Sequence, residues 1–254
     1  MAAIGRLFLR FLQTTGRLII FLFMTVYEGV RPPYYTRQYW RQIIDIGYYS
    51  LPVIGLTALF TGMVLALQSY TGFARFSAEG AVATVVVLSV TRELGPVLAG
   101  LMVAGRIGAA MAAEIGTMRV TEQVDALVTL STNPFKYLVA PRVFSGLVML
   151  PLLVLIADIV GVFGGYLVSV FKLGFNPASY LNKTFQYLEF IDVFSGLCKA
   201  AAFGFCVTLM GCYHGYYSKG GAQGVGQATT NSVVSASVLI LTFNYILTAV
   251  FFNS

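Results

Sequence analysis

Two ionisable residues, Arg92 and Glu93, lie side by side in the middle of an apolar stretch that runs from Ala81 to Gly105. A charged side chain at a bilayer centre costs roughly 2.5–3.5 kcal/mol on insertion scales, so such residues are rare there and usually functional. Adjacent helical residues point about 100° apart, so at least one of the two must reach another helix, water or a ligand. Pro96 removes a helix hydrogen bond nearby, which predicts a kink. The pattern favours a polar spot lining a cavity; an interhelical ion pair that fixes packing is the alternative.

Two more polar residues interrupt apolar segments. Gln68 lies near the outer end of the first segment, where it could either reach the membrane interface or line the same cavity as Glu93. Asp158 lies in the middle of the third segment. It could be a counter-ion for Arg92 or a cavity residue, and the sequence does not decide between these roles.

A second candidate surface lies between the second and third apolar segments, in residues 106–130. The sequence there is rich in Ala and Met and is predicted to be helical before Gly116 and again after it. At helical spacing one stripe carries Glu114, Met118, Thr121 and Asp125, and Glu122 lies beside it. Such an acidic and Met-containing face is suited to docking a partner protein, whereas a merely solvated loop helix is the alternative.

The remaining reactive residue types form no catalytic or metal-binding pattern. Cys198, Cys206 and Cys212 are interpreted as small buried apolar residues, and His214 has no neighbouring set of ligands. In the glycine-rich residues 215–227 Lys219 precedes the glycines, so the spacing of a phosphate-binding loop is absent. This segment is predicted to be a tight turn that ends in an N-cap of the last helix at Thr229, Thr230 or Asn231. We expect no metal site and no enzymatic activity.

The elements that position these residues are transmembrane helices. Of the 254 residues, 57% are hydrophobic and 10% are charged, which excludes a soluble enzyme, a disordered regulator and a nucleic-acid-binding module. A span needs about 20 mostly apolar residues. Five segments qualify, namely Tyr48–Tyr70, Ala81–Gly105, Val143–Phe171, Val193–Tyr213 and Ser232–Phe252. We therefore predict an all-α integral membrane protein with one domain, in which residues 1–47 form an arm and residues 48–254 the five spans.

The arm has the pattern of a basic amphipathic helix in the membrane interface. On a helix one stripe collects Arg6, Arg10, Gln13 and Arg17, and only ten uncharged residues follow before Glu28, which is short for a span. A signal peptide is the alternative, but no small-residue cleavage site follows. Eleven Lys and Arg residues lie on the side of the arm and of the 106–142 loop, against three or four on the other side. The excess predicts a cytoplasmic N-terminus and a C-terminus that faces outward.

A long continuous motif carries a family resemblance. The run TRELGPVLAGLMVAGRIGAAMAAEIGTMRVTEQVDAL, followed by NPFKYLVAPRV, resembles the signature of MlaE-type permeases, and GMVLALQSY and GVGQATTNSVV are similar to other family segments. The resemblance covers roughly residues 45–252. These permeases are inner-membrane subunits of ABC systems that move phospholipids between the two membranes of a diderm envelope and so maintain the lipid asymmetry of the outer membrane.

The resemblance implies an assembly and a site. It implies a homodimer with two cytoplasmic ATPase subunits, a periplasmic ring of six MCE-domain chains and often a STAS-domain protein; ATP and Mg²⁺ are bound by the ATPase, and this chain holds no cofactor. The resemblance implies a phospholipid pocket, and Gln68, Arg92 and Glu93 match its residues. Leu67 and Leu94 are their neighbours in the sequence. At Phe76 the chain departs from the family pattern, in which a Tyr can stand. The implied coupling helix that seats in the ATPase contains Glu114, Met118, Arg119, Glu122 and Asp125.

Two other functions fit parts of the sequence. An ion- or proton-coupled secondary transporter would use Glu93 and Asp158 as a relay. Such folds usually contain internal repeats, whereas five spans cannot be divided into equal halves and no repeat is found in this chain. A membrane scaffold without transport activity would explain the docking face but would leave Arg92 and Glu93 without a role.

Overall fold

The computed structural model describes residues 2–76 and 79–252, apart from the side chains of residues 2–8, 10, 11, 76 and 79. Within this part of the chain the regular structure is entirely helical. Five helical segments are long and apolar enough to cross a membrane: Thr36–Phe73, Val82–Val120, Phe135–Phe171, Phe190–Tyr216 and Gly221–Phe252. The predicted all-α fold with five transmembrane segments is confirmed.

The elements follow one another with short connections. The first part of the chain contains α1 (Ala2–Val30), α2 (Thr36–Ile46), α3 (Leu51–Phe73), α4 (Val82–Ser89), α5 (Gly95–Val103), α6 (Ala109–Val120) and α7 (Gln123–Thr129). The second part contains α8 (Ala140–Phe171), α9 (Pro177–Tyr187), α10 (Phe190–Tyr216) and α11 (Gly221–Phe252). Three π-helical segments, Val90–Leu94, Ala104–Gly108 and Phe135–Val139, join α4 to α5, join α5 to α6 and lead into α8.

The core forms where long helices approach closely at glycines. α8 packs against α3 and α10, and α10 also packs against α11 and α6. A Cβ atom at Gly62 of α3 would overlap the carbonyl oxygen of Gly161 in α8, and one at Gly204 of α10 would overlap that of Gly146. Small residues allow such close contact between membrane helices, where dispersion rather than water exclusion drives association. We call the end of the bundle near α9 the α9 end, and the opposite end, near α1 and α7, the α7 end.

An aromatic side chain of α1 packs into the bundle. Phe21 is fully buried, and its ring lies 5.1 Å from that of Phe135 and 5.5 Å from that of Tyr213. Much of the remaining apolar surface of α1, including Ile19 and Phe23, is exposed. α1 is not among the five segments that could cross a membrane. The side chains of Arg6 and Arg10 lie outside the described residues, so the predicted basic stripe at the membrane interface stays a prediction.

The predicted helical character of residues 106–130 is confirmed, because α6 and α7 occupy most of this segment. The second membrane segment continues beyond Gly105 to Val120, because Gly108 and Ala112 let it pack closely on Gly211 and Gly215 of α10. The break predicted at Gly116 is absent from the helix Ala109–Val120.

The glycine-rich segment, residues 215–227, is also helical over much of its length, although a turn was predicted there. α11 begins at Gly221, directly after Gly220, which has a φ of 89°. The turn is therefore confined to residues 217–220, and the predicted N-cap at Thr229, Thr230 or Asn231 is wrong. Tertiary packing keeps both segments helical although their glycine content is unfavourable for a helix.

Candidate functional site

The backbone is irregular where the two central charges lie. Arg92 and Glu93 belong to the π-helical segment Val90–Leu94, which ends directly before Gly95 and Pro96. Because Pro96 has no N–H, the carbonyl oxygen of Arg92 lacks the donor that a regular α-helix would supply. The ammonium group of Lys199 in α10 donates a hydrogen bond to this oxygen at 2.8 Å. π-Segments are often found at functional sites, and here a buried lysine compensates for the missing backbone bond.

Glu93 is the centre of a polar cluster that joins three membrane segments. Lys199 Nζ lies 2.7 Å from Glu93 Oε1, Thr248 Oγ1 donates to the same oxygen at 3.0 Å, and Asn244 Nδ2 donates to Oε2 at 2.8 Å. Lys199 also donates to Thr248 Oγ1 at 2.8 Å. The side chain of Lys199 is completely buried, whereas that of Glu93 is 37% exposed. We call Glu93, Lys199, Asn244 and Thr248 the polar cluster.

Arg92 reaches a different partner. Its Nε lies 2.6 Å from Oδ1 of Asp192, which is fully buried at the start of α10. The second oxygen of Asp192 accepts the backbone N–H of Glu189 at 3.0 Å, as part of a capping box that begins α10. The guanidinium carbon of Arg92 also lies 4.5 Å from the ring centre of Phe252. The two adjacent charges therefore point to different partners, as their helical spacing predicts.

These contacts decide between the roles left open for the charged residues. Arg92 and Glu93 each form an interhelical ion pair, which was the alternative to a cavity-lining role. Their side chains nevertheless remain 34% and 37% exposed. Asp158 is not the counter-ion of Arg92, because Asp192 takes that position. Asp158 instead lines an apolar groove between α4, α8 and α9. Its Oδ1 atom is buried and has no hydrogen-bond partner in the described part of the chain.

The other residues matched to the implied lipid pocket are spread along α3 and α4–α5. Leu94 lines a narrow cavity of about 20 Å³ between α3 and α5, together with Ile54 and Thr57. Leu67 is half-buried on α3, and the neighbouring Gln68 is exposed. Phe76 ends a short helical turn, Ala74–Phe76, and its side chain lies outside the described residues. Of the set, only Arg92 and Glu93 are joined to the network of ion pairs that the structure describes.

Sequence reasoning missed four partners, Asp192, Lys199, Asn244 and Thr248. Lys199 and Asp192 are seven residues apart, which places them on one face of a helix. Asn244 and Thr248 are four residues apart within an otherwise apolar segment. These spacings mark polar stripes on α10 and α11, and they were the signal that could have revealed the partners of Arg92 and Glu93.

The predicted docking stripe is divided between two helices. α6 ends at Val120, and Glu122 adopts a left-handed conformation with a φ of 60° before α7 begins at Gln123. The expected single stripe is therefore wrong, because the chain turns at Thr121 and Glu122. Glu122 and Asp125 are nevertheless both exposed.

Ion pairs and packing order the residues around this turn. Arg119 pairs with Asp125 across it at 2.5 Å. Glu114 pairs with Arg142 of α8 at 2.8 Å. Met118 is half-buried and packs against the core. One ion pair thus closes the turn and the other fixes α6 to α8, while the acidic side chains of Glu122 and Asp125 remain at the surface.

The comparison with known proteins extends over both candidate sites. The family model "Permease MlaE" matches residues 39–250, which include all four ion pairs described above. The chain belongs to the MlaE permease family. The chain is therefore an ABC transporter permease. Its five apolar helices make it a multi-pass membrane protein.

Two relatives of this MlaE-family permease illustrate its range. It is 60% identical over 251 residues to the "Probable ABC transporter permease protein" of Rickettsia felis. The aligned residues cover 99% of this chain and 97% of the relative. It is 35% identical over 254 residues to the "Intermembrane phospholipid transport system permease protein MlaE" of Haemophilus influenzae, with 100% of this chain and 97% of the relative covered.

Proposed function

We propose that this chain is the membrane subunit of an ATP-driven transporter that moves phospholipids between the inner and outer membranes and so maintains the lipid asymmetry of the outer membrane. The observation that carries the proposal is the full-length similarity to a permease named for intermembrane phospholipid transport. In this proposal the chain is not an enzyme. ATP and Mg²⁺ are bound by a partner ATPase, and this chain holds no cofactor.

The phospholipid site is proposed to include Arg92 and Glu93 with Leu67, Gln68, Phe76 and Leu94. A guanidinium group suits a phosphate, to which it can donate two parallel hydrogen bonds. Arg92 uses Nε for Asp192 and keeps a third of its side chain exposed, so its terminal nitrogens can still reach a headgroup. The apolar side chains of α3 supply a surface for the acyl chains.

A second copy of the chain is proposed to complete this site. α11 presents an exposed apolar stripe of four residues at helical spacing, Val234, Val238, Leu241 and Tyr245. The stripe lies on the helix that also supplies Asn244 and Thr248 to the polar cluster. A twofold contact along α11 would therefore bring the two copies of the polar cluster near each other.

The ATPase is proposed to dock at the α7 end. The contact residues would be Glu114, Met118, Arg119, Glu122 and Asp125. An open cleft of about 650 Å³ lies beside them and is lined by Ala110, Ala113, Glu114, Thr117, Met118 and Gln123. A structured turn beside a cleft can receive a partner without first having to become ordered.

The proposed orientation in the membrane rests on the distribution of charge, and the remaining partners rest on the family resemblance. The α7 end is proposed to face the cytoplasm of a bacterium, because the sequence places most of its Lys and Arg residues there. The α9 end and the C-terminus would then face the periplasm. A hexamer of MCE-domain chains would bind at the α9 end, and a STAS-domain protein would accompany the ATPase.

Reconstitution tests the proposal directly. The chain is purified with its ATPase and MCE-domain partners, placed in vesicles that contain a fluorescent phospholipid, and mixed with acceptor vesicles. Transfer should require ATP and Mg²⁺ and should stop when the catalytic glutamate of the ATPase is replaced. Transfer at the same rate without ATP would contradict the proposal, and lipid transfer that instead required an ion gradient would favour an ion-coupled transporter.

A further inference from the structure

An apolar groove of about 580 Å³ runs along one side of the bundle. Its walls come from α4, α8 and α9 and from the start of α10. On α8 the lining residues follow one stripe of the helix, namely Leu155, Ile159, Val162, Phe163 and Tyr166. Ile159 and Phe163 are more than half exposed, so the groove opens sideways rather than into the core. Its volume lies within the range of about 300–1,000 Å³ that is typical of small-molecule sites.

The length of the groove matches one leaflet of a membrane. Leu155 and Tyr166 are eleven residues apart on a continuous helix, which corresponds to about 16 Å at a rise of about 1.5 Å per residue. The hydrocarbon core of a bilayer is about 30 Å thick, so one leaflet measures about 15 Å. Because α8 is one of the membrane segments, the groove extends from mid-membrane to the α9 end.

A polar cavity adjoins the groove at the α9 end. It measures about 230 Å³ and is lined by Gly80, Ala83, Phe175, Asn176, Ser179, Tyr180 and Lys183. The side chain of Tyr180 lines both spaces, and its ring packs 5.8 Å from that of Tyr166. Lys183 donates one hydrogen bond to the carbonyl oxygen of Gly80 at 3.2 Å. An ammonium group has three donors, so Lys183 can bind an anion in addition.

A carboxyl group lies near the deep end of the groove, about one turn of α8 from Leu155. Asp158 is 5% exposed, and its Oδ1 atom packs against Gly95 without a hydrogen-bond partner in the described residues. The space is therefore apolar along most of the depth of one leaflet, with the carboxyl group of Asp158 near mid-membrane, and it is polar and basic at the membrane surface.

We propose that the groove binds one acyl chain of a phospholipid of the leaflet at the α9 end, with the lipid phosphate at Lys183. A bilayer lipid has the same order of polarity from its headgroup to its chain end. The site lies on α8 and α9 and does not depend on the proposed function, because a lipid could occupy it whichever substrate passes Arg92 and Glu93.

Photo-labelling tests the site in the full-length protein. The chain is placed in vesicles of phosphatidylcholine and phosphatidylglycerol with a trace of phosphatidylglycerol that carries a diazirine in one acyl chain. After irradiation, labelled peptides are quantified by mass spectrometry. We expect labels to concentrate on the groove residues of α8 and α9. Ile159→Trp, which fills the groove from its exposed side, should lower this labelling to the level of other membrane-exposed helices. Ile156→Trp is the matched control, since Ile156 is exposed on the same helix but is not among the groove residues.

The headgroup part of the site has its own control pair. Lys183→Gln should reduce groove labelling by about threefold, as expected for the loss of one partly exposed charge pair. Lys172→Gln, at the exposed end of α8, should leave it unchanged. Equal labelling of all membrane-exposed helices, or no effect of Ile159→Trp, would overturn the acyl-chain site; no effect of Lys183→Gln would overturn the headgroup contact.

A cross-linker placed in the groove distinguishes a lipid from a protein occupant. Benzoylphenylalanine in place of Phe163 is irradiated in membranes that contain the complete complex. An adduct with the small mass increase of a phospholipid supports the proposal. An adduct with a polypeptide would assign the groove to a partner subunit and overturn it.

Discussion

At the residue scale, Lys199 donates hydrogen bonds both to the backbone and to neighbouring side chains. Its three donors reach the carbonyl oxygen of Arg92, the carboxylate of Glu93 and the hydroxyl of Thr248. A fully buried ammonium group is tolerable only when it is paired and hydrogen-bonded. Lys199 meets both conditions, and it does so at the point where Pro96 interrupts the helix.

Removing the charge of Lys199 should therefore be costly. Lys199→Met removes the cation that pairs with Glu93 and the side-chain donor to the carbonyl oxygen of Arg92. We expect a loss of about 3 kcal/mol in the free energy of unfolding, at the lower end for a buried pair because the side chain of Glu93 is 37% exposed and keeps its bonds to Asn244 and Thr248. Lys172→Met, at an exposed position, is the control. Thermal unfolding in detergent measures both variants. The double variant Glu93→Gln/Lys199→Met should regain much of the loss; a double variant as unstable as the single one would show that the ion pair is not the cause.

The two buried aspartates should respond differently to neutralisation. Asp158→Asn removes a carboxyl group that forms no ion pair in the described residues and should change the stability by less than Asp192→Asn does. Asp192→Asn weakens the contact with Arg92 and the capping of α10, and should lower the stability by about 2 kcal/mol. The melting temperatures of the two variants, measured side by side, check the difference. A larger loss for Asp158→Asn would reveal a partner for that group.

At the element scale, the membrane segments were predictable and their ends were not. Each segment contains about 20 apolar residues, and this property is local to the sequence. The extension of the second segment to Val120 depends instead on the packing of Gly108 and Ala112 against α10, and the early start of α11 depends on the left-handed Gly220 and Gly221. Similarly, the spacing of Arg92 and Glu93 predicted that they diverge, but their partners lie about a hundred or more residues away in the chain. Such partners follow from the arrangement of the helices in space.

The turn between α6 and α7 yields a prediction for coupling. Reversal of both exposed charges, Glu122→Lys/Asp125→Lys, should sharply reduce co-purification of the ATPase, because a reversed charge across a docked surface is unfavourable and slows association. The left-handed conformation of Glu122 is no more strained for Lys than for Glu, so the fold should persist. The ratio of ATPase to permease in membranes measures the effect, and an unchanged ratio would contradict the docking surface.

An exchange variant separates docking from the local ion pair. Arg119→Asp/Asp125→Arg retains an ion pair across the turn but alters the charges presented to a partner. If docking depends on the surface charges, this variant should also lose ATPase. Full retention of the ATPase by the exchange variant would show that the reversal acts only through the broken contact with Arg119.

At the scale of the whole molecule, the two ends of the bundle should face opposite sides of the membrane. Lys172 at the α9 end and Lys219 at the α7 end are both exposed in short connections. Lys172→Cys should react with a membrane-impermeant maleimide in cells with a permeabilised outer membrane, and Lys219→Cys should react only after the inner membrane is opened. The variants are made in a background without Cys198, Cys206 and Cys212. Reaction of both sites from the same side would contradict the five-span topology.

The polar cluster joins the second, fourth and fifth membrane segments at a single carboxylate. Any movement of these segments relative to one another must therefore change the surroundings of Glu93. In a transporter, such a coupling would let the state of the α7 end alter the exposure of Arg92 and Glu93. The cluster can thus serve both packing and transport, and the two roles are separable by experiment.

The most direct measurement is ATP-dependent phospholipid transfer by the complex that contains Glu93→Gln/Lys199→Met. This double variant removes both charges without leaving either unpaired, so the complex should assemble and its stability should approach that of the wild type. We expect its transfer rate to fall by at least about tenfold, equivalent to about 1.4 kcal/mol in the barrier. Transfer at the wild-type rate by a fully assembled double variant would show that the charges serve packing alone and would contradict the proposed phospholipid site.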